Sequence, residues 1–148
     1  MIIKDLEGLK SFALSLKKLL KKGDVINLIG GMGAGKTTLV NFIAKAFGIS
    51  DSSSPTFSIV NVYEGDEKIY HLDLYRFDSP DDILDIDFEE YFYPEDALTF
   101  IEWAERTQEY LPDGMINIEF EKIDENKRKL TIRSDSKRGR EINEYFSN

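Results

Sequence analysis

Gly30-Gly31-Met32-Gly33-Ala34-Gly35-Lys36-Thr37 is the stretch that decides how this chain is read. It fits G-x-x-x-x-G-K-[ST], and the chemistry behind that pattern is specific. A polyphosphate carries several negative charges and must be wrapped at close range by backbone N–H groups, which glycines permit. The helix that follows points its N-terminus at the anion, the lysine reaches the terminal phosphates and the threonine hydroxyl ligates Mg²⁺. The flanks supply the context the motif needs. Val25-Ile26-Asn27-Leu28-Ile29 reads as a short apolar strand, and a helix runs from about Lys36 to Phe47 before Gly48. Gly31, Met32, Gly33, Ala34, Gly35, Lys36, Thr37 and Thr38 are therefore the candidate phosphate-contacting residues.

On the N-terminal side, Leu9, Phe12, Ala13, Leu16, Leu19 and Leu20 recur at helical spacing with lysines between them, and Gly23 is the expected C-cap. On the C-terminal side, Phe57 to Tyr63 and Lys68 to Leu74 alternate as two strands of a hairpin. Ser79-Pro80-Asp81-Asp82 predicts a helix start, with Ser79 at the cap and the helix reaching about Tyr91. Ala97 to Ile101 reads as a strand and Glu102 to Tyr110 as a short helix stopped by Pro112. Met115 to Ile123 and Lys129 to Ser134 form a second hairpin, and the polar tail after Asp135 reads as a loose helix. With 148 residues, no repeat and no linker, the expectation is one α/β domain over 1–148.

A phosphate loop alone hydrolyses nothing. Mg²⁺ needs a carboxylate at a neighbouring strand end, and the attacking water needs orientation or a base. Ile69-Tyr70-His71-Leu72-Asp73 ends in an acid, so Asp73 is a candidate metal contact; a plain strand-end surface acid is the alternative. Ala97 to Glu102 is a second apolar strand ending in an acid, and Glu102 reads equally as a water-orienting base or as a helix N-terminal charge. In open α/β sheets, ligands sit at such strand ends. The Ser54-Pro55-Thr56 loop places Thr56 where many such proteins carry a switch threonine, an ordinary capping hydroxyl being the alternative. His71, in mid-strand, and Trp103, the single tryptophan, read by default as packing residues.

Composition narrows the field. Zero cysteines exclude a disulfide scaffold, a thiolate metal site and a cysteine nucleophile, and a single histidine excludes a poly-His metal site within one chain. No apolar run approaches the roughly 20 residues of a membrane span, and the N-terminus lacks a signal-peptide core, so a soluble, cytoplasmic domain is expected. The formal charge of −9 argues against direct nucleic-acid binding, yet it is uneven: +5 over residues 1–50, −17 over 51–121 and +3 over 122–148. Asp78 to Asp96 holds nine carboxylates and no Lys or Arg, a solvated face or a docking surface for a basic partner. A guanine-specific protein would show Asn/Thr-Lys-x-Asp, whereas Asn126-Lys127-Arg128-Lys129 has Lys at the last position, so an adenine nucleotide is favoured.

Gly-Gly-Met-Gly-Ala-Gly-Lys-Thr-Thr (30–38), Ser-Pro-Thr-Phe-Ser-Ile-Val-Asn-Val-Tyr (54–63), His-Leu-Asp-Leu-Tyr-Arg (71–76) and Ile-Glu-Trp-Ala-Glu (101–105), taken together, resemble the TsaE (YjeE) family. Its members are bacterial ATPases required for N6-threonylcarbamoyladenosine at tRNA position 37. The resemblance spans roughly residues 9–115; the final hairpin and tail match only in general character. It implies a P-loop NTPase-like mixed sheet flanked by helices, with added antiparallel hairpins, and ATP with Mg²⁺ as cofactors. It implies that Lys36 and Thr37 hold phosphate and Mg²⁺, that Asp73 is the Walker-B-type acid and that Thr56 lies in a switch loop. Glu102 is implicated in hydrolysis and Trp103 lies near the nucleotide, so Lys36, Asp73 and Glu102 form the catalytic set and Thr37, Asp73 and Glu102 the metal-facing one. The implied partners are a TsaD-like transferase subunit and a TsaB-like subunit, which hold the tRNA. One departure is Gly31, where the family usually has Asp. The alternatives in other classes are a small-molecule kinase, disfavoured by the absence of arginine between Asp78 and Asp96, and a nucleotide-dependent switch without turnover, for which Glu102 would be dispensable.

Overall fold

The computed structural model describes residues 1–49 and 59–147. In chain order its elements are β1 (Ile2–Ile3), α1 (Leu6–Leu19), β2 (Val25–Ile29), α2 (Lys36–Ala46), β3 (Val60–Glu64) and β4 (Lys68–Asp73). A 3-10 segment (Pro80–Asp85), α3 (Phe88–Phe92), β5 (Ala97–Glu102), a second 3-10 segment (Ala104–Tyr110), β6 (Ile116–Lys122), β7 (Arg128–Ile132) and α4 (Lys137–Ser147) follow. The strands make one sheet in the order β1-β7-β6-β2-β5-β4-β3. Its central four, β6, β2, β5 and β4, run parallel, while β3, β7 and β1 add antiparallel edges through the two hairpins. This is the mixed α/β sheet with added antiparallel strands that the resemblance implied.

Central parallel strands are covered on both faces and so read as continuous apolar runs. The alternation divides them between two cores. Ile26, Leu28, Ile69, Leu98 and Phe100 face α1 and α2, packing against Leu9, Phe12, Leu16, Leu39 and Ile43. Val25, Tyr70, Leu72, Ala97 and Ile101 face the other way, against Ile83, Phe92 and Ala104 from the irregular segments. Each buried Leu, Ile or Phe contributes about 1.5–3 kcal/mol over its exposed state. Glu102, in the same alternation as Leu98 and Phe100, belongs to the α2 face; His71 and Asp73, in step with Ile69, do too.

Several expectations need correction. The helix predicted over 79–91 is two pieces. Ser79 does cap the first, with a reciprocal capping box to Asp82, but Ile86 turns extended (φ −123°, ψ 164°) and α3 begins afresh. Ile83 and Phe92 anchor the pieces separately in the core, and that packing overrides the continuous pattern. Gly23 is not the C-cap of α1. Leu20 ends that helix, and Gly23 (φ +96°) makes the turn into β2, donating its N–H to the Ala97 carbonyl. Glu102 belongs to β5 rather than to a helix, and the following 3-10 segment is kinked at Thr107, whose hydroxyl donates to the Pro80 carbonyl. The tail is a regular helix, α4, tied down where Arg138 donates to Asp24 (2.8 Å) and to the Leu19 carbonyl (2.8 Å). β1 has no counterpart in the sequence reading. No helix among the described residues is long and apolar enough to cross a membrane.

Candidate functional site

β2 lies between β5 and β6, so the loop leaving its C-terminal end opens at the centre of the sheet. Gly33 (φ +74°) and Gly35 (φ +109°) take left-handed backbone that favours glycine, and Gly35 caps α2 in that conformation. Gly30 is required for a different reason: a Cβ there would lie 2.8 Å from the backbone oxygen of Phe120 in β6. A Cβ on Gly31 would meet nothing within 4 Å, so the carboxylate usual at that position would be sterically admissible.

The first residue of α2 is Lys36, 4% exposed. Its ammonium donates to the Gly30 carbonyl (2.6 Å) and lies 3.9 Å from the centroid of the Trp103 ring. Burial pushes its pKa below the usual lysine value, against the opposing pull of Glu102, Glu105 and Asp73. Thr37 follows, its hydroxyl bonded to Glu102 at 2.8 Å to Oε2 and 3.1 Å to Oε1. The parallel register pairs Asp73 with Glu102 and Glu102 with Leu28, so the ends of β4 and β5 deliver both acids beside the start of α2.

Glu102 is 3% exposed and His71 2%. His71 Nε2 lies 2.6 Å from Glu102 Oε2, while His71 Nδ1 is buried without a hydrogen-bond partner. Burial by itself pushes the Glu102 carboxyl up; His71, the Thr37 hydroxyl and the Lys36 ammonium together outweigh it and hold the group below the usual carboxylate range. Asp73 accepts from the Tyr75 N–H (3.1 Å). Trp103 is the one non-glycine residue among those described with positive φ (+60°), a conformation that costs roughly 1–2 kcal/mol. It reverses the chain at the end of β5 and lays the indole over Lys36 and 5.0 Å from the Tyr75 ring.

Met32, Gly33, Ala34, Gly35, Lys36, Thr37, Thr38, Asp73, Glu102 and Trp103 line one cleft of about 250 Å³. Every candidate named from sequence is there except two. Gly31 stands outside the lining, and Thr56 falls outside the described residues. His71 was read as packing; its contact with Glu102 arises across two strands, and only the resemblance to a His-Leu-Asp segment touched it. Arg128 was missed altogether. It bonds the carbonyls of Ala34 (Nε, 3.0 Å) and Gly33 (Nη2, 3.2 Å) from the far hairpin. For Mg²⁺, Thr37, Asp73 and Glu102 offer an all-oxygen donor set. Among the described residues no group of three or more His, Asp or Glu forms a ready metal cage.

A strand–glycine loop–helix unit at the parallel centre of a mixed sheet, with acids at the ends of the two strands beyond it, defines a mixed α/β protein with its candidate site at the strand ends. Within that class, the profile described as "Threonylcarbamoyl adenosine biosynthesis protein TsaE" matches residues 3–130. The chain therefore belongs to the TsaE family. It is similar to the tRNA threonylcarbamoyladenosine biosynthesis protein TsaE of Aquifex aeolicus, at 40% identity over 88% of this chain and 92% of that one. The protein of the same name from Bacillus subtilis is 34% identical over 85% of this chain and 79% of its own. The crystal structure of Bacillus subtilis YdiB superposes with a TM-score of 0.81 at 28% identity, covering 99% of this chain and 92% of that one. This membership sets aside the small-molecule kinase.

Proposed function

We propose that the chain binds ATP with Mg²⁺ and hydrolyses it as the nucleotide-driven component of tRNA N6-threonylcarbamoyladenosine synthesis. On this reading it acts in the cytoplasm through a TsaD-like transferase subunit and a TsaB-like partner, and it supports repeated turnovers of threonylcarbamoyl transfer. The observation that carries the reading is the Thr37–Glu102–His71 chain, in which Glu102 and His71 are buried, set beside Lys36 at the mouth of the phosphate loop.

When bound, ATP supplies the phosphoanhydride and Mg²⁺ offsets the charge of its phosphates. The residues do the rest. The loop amides and Lys36 hold the phosphates, and the Trp103 ring keeps the ammonium from swinging into solvent. Thr37 and Asp73, with Glu102 beside them, would hold the metal. Glu102 is aimed by three groups at once: it accepts from the Thr37 hydroxyl, lies against His71 and faces the Lys36 charge. A carboxylate held below its ordinary pKa is a weak base, so Glu102 serves to orient a water more than to strip its proton. No arginine lines the cleft among the described residues. Arg106 lies at its rim, 5.3 Å from the Tyr75 ring centroid and 5.9 Å from that of Trp103. Slow hydrolysis by the isolated chain follows, with acceleration when a partner completes the site. The test is in vitro tRNA threonylcarbamoylation by the transferase subunits with ATP, with and without this chain. Multiple turnovers are expected only with it; modification limited to about one turnover in both cases would overturn the reading.

A further inference from the structure

The β6–β7 hairpin, which the sequence reading left without a role, forms the back wall of the phosphate loop. Two contacts build it. The Phe120 backbone in β6 leaves no room for a side chain at Gly30. From β7, the half-buried Arg128 spreads its guanidinium over two consecutive loop carbonyls, Nε to Ala34 (3.0 Å) and Nη2 to Gly33 (3.2 Å). The remaining nitrogen, Nη1, donates to the carbonyls of Asp124 (2.7 Å) and Lys127 (3.0 Å) in the hairpin's own turn. That turn is itself fixed, since Asp124 accepts from the N–H groups of Asn126 (2.8 Å) and Lys127 (2.7 Å). One planar cation thus joins a rigid turn to the loop.

We infer that Arg128 is a positioning residue for nucleotide binding, acting through the loop backbone and not by touching nucleotide. A trans peptide directs its C=O and N–H to opposite sides. A loop that turns amides toward an anion must therefore turn the same peptides' carbonyls away from it, and those carbonyls need donors behind. Arg128 supplies them for the Gly33–Ala34 and Ala34–Gly35 peptides. The first peptide's N–H closes the loop on the Gly31 carbonyl (3.3 Å); for the second, trans geometry sets the Gly35 N–H on the side opposite the Ala34 carbonyl that Arg128 holds. The fixed fork of arginine suits two neighbouring acceptors and a third behind; a lysine ammonium, a point donor on a flexible stem, cannot span them. The positive charge behind the loop also favours a polyphosphate in front of it.

This inference rests on the ATP-binding reading, so its test has an arm that needs no nucleotide. Arg128→Lys and Arg128→Gln are compared with the parent chain by amide hydrogen exchange without nucleotide and by calorimetric titration with ADP and Mg²⁺. The Ala34 amide, which bonds the Gly31 carbonyl, should exchange at least tenfold faster in both variants while those of β2 and β5 are unchanged. The ADP Kd should rise about tenfold, and turnover at saturating ATP with the transferase subunits should stay within twofold. Unchanged loop exchange, or exchange that accelerates equally throughout the sheet, would overturn the assignment. So would a fall in saturated turnover with no change in Kd. If the parent chain itself fails to bind ADP, the nucleotide reading falls, and the exchange arm still decides whether Arg128 holds the loop.

Discussion

Substituting Glu102→Gln isolates the charge of the buried carboxylate with little change in shape. The carboxylate now takes two contacts on Oε2, the Thr37 hydroxyl at 2.8 Å and His71 Nε2 at 2.6 Å. A glutamine offers one carbonyl oxygen and one amide nitrogen; the exposed Thr37 hydroxyl can donate or accept and so adapts, and the contact at risk is the buried one, where an Nε2–H of His71 would be left facing the amide N–H. Leaving a buried donor unsatisfied costs about 1–3 kcal/mol, the expected loss of fold stability. The effect on hydrolysis is larger. A positioned acid–base group contributes about 10²–10⁴-fold, or roughly 2.7–5.5 kcal/mol of barrier. Nucleotide affinity should hold or tighten, because Lys36 and the loop are untouched and the ammonium loses an anionic neighbour. Single-turnover phosphate release with the transferase subunits, paired with calorimetric titration of ATP, separates the two quantities. Turnover within threefold of the parent chain would refute the role given to Glu102 and favour a switch that works without hydrolysis. Parallel loss of binding and turnover would refute the claim that the carboxylate acts after binding.

Other outcomes are as definite. His71→Phe removes the foremost group holding the Glu102 pKa down while the burial that raises it remains. With the folded pKa depressed, ionised Glu102 stabilises the fold above its ordinary value near 4.3, and that contribution fades as pH falls through the lower folded value. Urea unfolding should therefore show the variant well below the parent at pH 7 and the gap shrinking toward pH 3; a constant gap would count against it. Lys36→Met should abolish ATP binding by calorimetry without lowering Tm, since burial already disfavours the ammonium. Gly30→Ala should cost about 1–3 kcal/mol in thermal unfolding, because its Cβ would meet the Phe120 carbonyl at 2.8 Å and the loop must shift. ATP with Mg²⁺ should change the fluorescence of Trp103, and a silent titration with binding shown by calorimetry would remove that residue from the site.

The site was legible where its chemistry is written locally. Gly30 to Thr37 is contiguous, and an acid closing an apolar strand marks Asp73 and Glu102 whatever their neighbours. What escaped depends on pairings that span the chain. His71 acquires meaning from the register that sets Asp73 beside Glu102, and Arg128 from β6 pairing with β2, more than ninety residues from the loop it holds. The helix over 79–91 failed for a related reason: its apolar positions fit one helix, yet Ile83 and Phe92 fill separate places in the core. Gly23 carried the right signal, a glycine after a helix, and was used by the turn three residues beyond the cap at Leu20.

The strand order has a consequence for the newly made protein. Both neighbours of β2 come later in the chain, β5 from Ala97 and β6 from Ile116, and the guanidinium behind the loop later still. While the polypeptide is leaving the ribosome, the glycine motif emerges early but has neither its acids nor its rear support. The loop has its acids and its rear support together only when Arg128 has cleared the exit tunnel and the sheet has closed around β2. Chains truncated ahead of β5 carry the whole motif but lack Glu102 and both strands that flank β2.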